Sequence, residues 1–174
     1  FDFEEEFLSA LNEFSEYRIY SPQTDYLRGI RSGQVYDSPI GLHGEGLALA
    51  VAQIIRQFRG EYIGESDKAK VSPTDVSNIT KLTLDLAFLP GWTRSFKVGQ
   101  LDQKLISQGI DKPSGGILYF YDRYMNEKRN TLSAYDSSEG TLFLLFMAVI
   151  MCHADAPRIF AVDNIDNALN PKLT

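Results

Sequence analysis

Every residue from 142 to 152 is apolar, and a helix with that composition has no face to offer water. The run is shorter than the roughly 20 residues needed to span a bilayer. It therefore predicts a helix buried inside a folded domain, packed against a sheet. Its amino end is marked by Ser138, Glu139, Gly140 and Thr141. Ser138 suits an N-cap, and Gly140 lets another backbone approach closely. The amides ahead of the first intrahelical bond form an anion site. An ordinary cap is the plain reading of these residues; a phosphate site is the sharper one.

The segment after the helix sharpens the choice. Residues 159–162, Ile-Phe-Ala-Val, form a short apolar run without alternation, the pattern of a parallel strand covered on both faces. Asp163 closes it. Ligands of open α/β sheets bind at the carboxyl ends of strands, and a carboxylate there can hold Mg²⁺ that bridges nucleotide phosphates. The alternative is a carboxylate that only caps a turn.

The order of these segments resembles a known architecture. Ser138-x-Gly140-Thr141 is similar to the serine-x-glycine-glutamine core of the ABC-ATPase signature, residues 159–163 resemble a Walker B strand, and Asn167-Ala168-Leu169-Asn170 resembles the D-loop. Together, over residues 119–174, they resemble the SMC/ABC-type AAA ATPases of prokaryotic antiviral defence, nearest the Septu type that works with an HNH nuclease. Residues 20–47 resemble the middle region of that family.

The resemblance implies an α/β fold: a partial ABC/SMC-like head of the P-loop NTPase superfamily, with a mostly parallel sheet and packed helices. Residues 1–115 or so would form a lid and helical region. Residues 116–174 would hold a hairpin, the signature helix, the Walker B strand and the D-loop. ATP and Mg²⁺ are the implied cofactors, with Asp163 at the metal and Ser138, Gly140, Thr141 and Asn167 at the nucleotide. In the family the signature residues reach the γ-phosphate held by the opposite subunit, so a nucleotide-bound homodimer is expected, with an HNH-type nuclease partner and nucleic acid as a further possible ligand. A DNA-repair or chromosome-organising ATPase of the same superfamily is the alternative, but no sustained heptads support it.

Two departures qualify the resemblance. No Gly-x-x-x-x-Gly-Lys-Ser/Thr loop occurs in the chain, so the backbone cradle and its lysine are missing; this implies a fragment that lacks the Walker A lobe. The residue after Asp163 is Asn164, where hydrolysing relatives carry a glutamate. An amide orients water but cannot take its proton. Slow hydrolysis is expected, with Asp166 the nearest substitute base, and a non-catalytic, nucleotide-dependent scaffold becomes credible.

Composition excludes more than it selects. With a formal charge of −6 over 174 residues and a pI of 4.9, the chain has no bulk basic surface for nucleic acid. The lone Cys152 lies in the apolar run, which predicts a buried thiol, no internal disulfide and a cytoplasmic protein without membrane contact. His43 and His153 lack metal-ligand spacing. Arg28, Arg31, Arg56 and Arg59 are scattered like ordinary surface charge, although the resemblance puts Arg28 and Arg31 in the family's lid, within approach of nucleotide; the aromatics at Tyr119, Phe120, Tyr121 and Tyr124 read as core and cross-strand pairs.

Local signals predict the remaining elements. Asp2 and Glu5 suggest a capping box ahead of a helix over 4–14, and 17–20 reads as a short strand. Residues 23–41 read as a loop or lid. Helices are expected over 46–58 and from Ser72, strands over 94–98, 117–124 and 129–134.

Overall fold

The computed structural model describes residues 3–31, 33, 39–58, 91–100 and 116–164. Its elements run α1 (Phe3–Ser15), β1 (Arg18–Tyr20), α2 (Thr24–Leu27), α3 (Leu47–Phe58), β2 (Thr93–Gly99), β3 (Ile117–Asp122), β4 (Thr131–Ser133), α4 (Glu139–Cys152) and β5 (Phe160–Val162). The capping residue Asp2, the helix expected from Ser72, and the segment holding Asp166, Asn167 and Asn170 lie outside the described residues.

The class is α/β, but the sheet differs from expectation. β1 and β5 pair in parallel, with Tyr20 opposite Val162. β2, β3 and β4 form a separate antiparallel sheet in that order. Among the described strands, then, antiparallel pairing is the larger part, and the expectation of a mostly parallel sheet is not met. The reason is local. Residues 117–134 fold back through a tight turn, in which Asp122 Oδ1 accepts from the N–H groups of Tyr124 and Met125. A turn of that length can join only antiparallel neighbours.

One core joins the two sheets. α4 contributes Leu142, Phe143, Phe146 and Val149, α3 contributes Leu47, Ala50, Val51 and Ile54, and β3 adds Leu118 and Phe120. The α3 residues recur at helical spacing, so one stripe faces α4. The ring of Tyr20, 0% exposed, stands edge-on to Phe146 at 5.6 Å and to Phe160 at 6.2 Å. These contacts pin the parallel strands to α4.

α4 itself is less enclosed than its composition suggests. Nine of its residues are buried, yet Met151 is 59% exposed, so its last turn does reach solvent. Cys152 is buried and free. The strand β5 is half-buried along its length rather than covered on both faces. α1 has the expected helical spacing, but Phe7, Leu8, Leu11 and Phe14 are all exposed among the described residues.

His153 ends α4 as a buried C-cap residue. Its Nδ1 accepts from the Asp155 N–H at 3.2 Å, so the proton sits on Nε2, which donates to Gln53 Oε1 at 3.2 Å. Burial lowers its pKa from the ordinary histidine value, and the nearby Asp155 carboxylate opposes this only in part. Among the described residues no helix is long and apolar enough to cross a membrane.

Candidate functional site

The helix cap at Ser138 and the carboxylate Asp163 arise at different points of the fold. Ser138 caps α4 as expected: its φ and ψ are extended, and its Oγ accepts from the Thr141 N–H at 3.3 Å. Ser138 and Glu139 are exposed and Gly140 is half-buried. The cap is held from behind. Ser133 Oγ donates to Asp136 Oδ2 at 2.7 Å, and Ser137 Oγ donates to the Ala134 carbonyl at 3.0 Å. Tyr135 lies in the same loop; burial, helped by Tyr119, raises its pKa and keeps the phenol protonated.

Thr141 is only 4% exposed. Its hydroxyl lies 2.7 Å from Ser138 Oγ. Its hydroxyl is thus engaged with the capping oxygen. If Thr141 donates in that pair, the Ser138 proton is released to point outward.

Asp163 leaves β5 at the carboxyl edge of the parallel pair, and both it and Asn164 are exposed. The Asp163 N–H donates to the Tyr20 carbonyl at 2.7 Å. Asn164 has φ of 57°, a left-handed conformation that asparagine adopts more readily than most residues. The chain turns sharply there, directly after the carboxylate.

The connection between these features is residues 20–28, which sequence reading treated as a short strand running into a loop. Tyr20 holds Asp163. Beyond it, the Ser21 and Gln23 N–H groups donate to the carbonyls of Leu42 and His43 at 2.8 and 2.9 Å. Thr24 Oγ1 then donates to Glu139 Oε1, and Arg28 Nη2 donates to the Ser137 carbonyl at 3.3 Å. The Asp163 edge and the Ser138 cap are thus tied to one short stretch of chain.

Arg28 is placed by the structure behind the helix cap. It is half-buried, not loose surface charge, whereas Arg31 does sit at the surface, paired with Asp25 at 3.4 Å. α2 is a four-residue helix whose Gln23 N-cap makes no side-chain cap bond, so no capping signal announced it.

The His43-Gly44-Glu45-Gly46 loop is structural. Glu45 is buried, and its Oε2 accepts from the His43 N–H at 2.9 Å. A side chain at Gly41 or Gly33 would collide with it. His43 Nδ1 lies 3.0 Å from the Ser21 carbonyl and 3.4 Å from Gln23 Nε2. A carbonyl can only accept, so the shorter contact fixes the proton on Nδ1. Gln23, exposed three residues beyond Tyr20, keeps its amide for other contacts.

Among the described residues no group of three or more His, Cys, Asp or Glu side chains could hold a metal ion. Asp163 is one exposed carboxylate. That donor set fits a hard cation such as Mg²⁺ only where phosphate oxygens and water complete its shell. Asp166 and Asn167 lie outside the described residues. No protein-family model, curated protein or solved structure matches the chain.

Proposed function

We propose that this chain is part of the ATP-binding head of an ABC/SMC-type ATPase of the kind used in prokaryotic defence, dimerising around nucleotide and regulating a partner nuclease. The observation that carries the reading is the common anchorage of Asp163 and of the Ser138 cap to residues 20–28. Held in a fixed relation within one chain, a carboxylate at a parallel-sheet edge and a capped helix mouth suit two nucleotides shared between two subunits. The first takes the cation, the second takes phosphate oxygens. In this reading Asp163 holds Mg²⁺ on ATP of its own subunit, and Ser138 with Gly140 meets the triphosphate bound by a second subunit. The phosphate-gripping lysine loop comes from another segment of the full-length protein.

A second reading, a nucleotide-dependent scaffold without useful catalysis, is favoured by Asn164. Its amide stands where relatives place a general base, and its left-handed backbone disfavours a longer acid at that position. A chromosome-organising ATPase of the same superfamily is a third reading.

The test is the mass of full-length protein by light scattering with and without ATP and Mg²⁺. Nucleotide-driven association that is lost in Ser138→Asp, which keeps a capping oxygen but repels phosphate, supports the proposal. An unchanged mass removes the support for nucleotide-driven closure. Turnover well above about 1 per second would count against the scaffold reading.

A further inference from the structure

The antiparallel sheet carries a second concavity that the proposed ATPase reading does not use. Its cavity of about 400 Å³ is lined by Lys97, Gln100, Tyr119, Lys128, Arg129 and Thr131, among others. Three of these are cations and none of the lining residues is acidic, although the chain as a whole carries −6. The concentration of positive charge is therefore local.

The fold builds this cluster from two directions. Lys97 on β2 is opposite Tyr119 on β3, and its Nζ lies 5.8 and 5.2 Å from the ring centroids of Tyr119 and Tyr121. Lys128 and Arg129 arrive from the β3–β4 turn. That turn is braced by Asn126, whose Oδ1 accepts from the Lys128 N–H at 3.0 Å and whose carbonyl accepts from the Arg129 N–H at 2.8 Å. The turn also carries two acids, Asp122, whose Oδ1 accepts from two turn amides, and the exposed Glu127; neither lines the cavity.

Charge of one sign around a concavity focuses anions into it, and this cavity falls within the range of small-ligand sites. Arg129 adds a planar fork suited to phosphate oxygens, and Thr131 adds a neutral hydroxyl. We propose that this cleft binds phosphate-ester groups, carried either by a nucleic-acid strand or by a free mononucleotide. The proposal is independent of the ATPase reading, because it uses none of the residues around Ser138 or Asp163.

Full-length protein is titrated into a fluorescein-labelled oligothymidylate of about 12 nucleotides, and separately dialysed against radiolabelled AMP. Binding of at least one probe is expected. It should weaken as NaCl rises from about 50 to about 200 mM, and weaken about tenfold or more in Lys128→Gln/Arg129→Gln through loss of charge-assisted contacts. Lys128→Arg/Arg129→Lys should retain most of the affinity. Binding of the oligonucleotide alone identifies a strand, and of AMP alone a free nucleotide. Protection of Lys128 from acetylation by the bound probe reads the same contact without mutation. No binding of either probe, or equal binding by the neutralised variant with Lys128 unprotected, overturns the proposal.

Discussion

Arg28 and Ser137, 109 residues apart in the chain, meet through a 3.3 Å hydrogen bond from guanidinium to carbonyl. This bond holds the loop ahead of α4 against α2. Arg28→Ala should cost about 1.5–3 kcal/mol in urea melts, the range for a bond made by a charged donor. Amide hydrogen exchange at Asp136 and Ser137, whose N–H groups donate to the Ser133 carbonyl, should rise as well. A variant with unchanged exchange there would show that the loop braces itself through Ser133 and Ser137 alone.

Ser138→Ala removes the oxygen that accepts from the Thr141 N–H, and should lower stability by about 1 kcal/mol. Ser138→Asp should recover most of that loss, because aspartate caps equally well. The pair separates two roles: stability follows the cap, whereas nucleotide-driven association follows the absence of negative charge.

Asn164→Gly should leave stability nearly unchanged, since glycine enters the left-handed region freely. Asn164→Val should cost about 1–2 kcal/mol, read by thermal denaturation. Equal melting of the two variants would mean that the φ of 57° is not the constraint at this position.

His153 makes stability depend on pH in a direction fixed by its burial. Its folded pKa lies below the unfolded value, so the unfolded chain binds the proton first. The stabilisation is fully present above the unfolded value of about 6.5 and is lost as pH falls from there through the folded pKa. His153→Gln should flatten this part of the profile in urea melts taken across the range.

Phe146 is fully buried and touches both Tyr20 and Phe143. Phe146→Ala should cost about 3–5 kcal/mol and loosen the parallel strands, seen as faster exchange of the Asp163 amide. A smaller cost would indicate that neighbouring side chains collapse into the space.

The parts of this fold legible in the sequence are those with a local cause. α4 is legible through Ser138 and an unbroken apolar run, α3 through the Ala- and Leu-rich stretch over 46–58, and the hairpin through residues 117–134. Pairing was not legible. Nothing in Arg18–Tyr20 says that its neighbour is Phe160–Val162, because three-residue strands carry no register signal of their own. The candidate site divides in the same way. Ser138, Gly140 and Asp163 are candidates from residue type and position, and Arg28 from its place in the lid, but Thr24 and Gln23 are not, since their part comes from contacts across more than a hundred residues or from the chance of a short helical turn. The burial of Thr141 beside Ser138 Oγ depends on helix rotation and was not legible either.

The parallel pairing of Arg18 with Phe160 has a kinetic consequence. Closing so long a stretch of chain loses much freedom before any strand contact repays it. The hairpin of β3 and β4, joined by a short turn, can form while that closure is still pending. The edge bearing Asp163 is therefore completed late in folding, and a refolding chain should regain most of its helical circular dichroism before the Asp163 amide is protected from exchange.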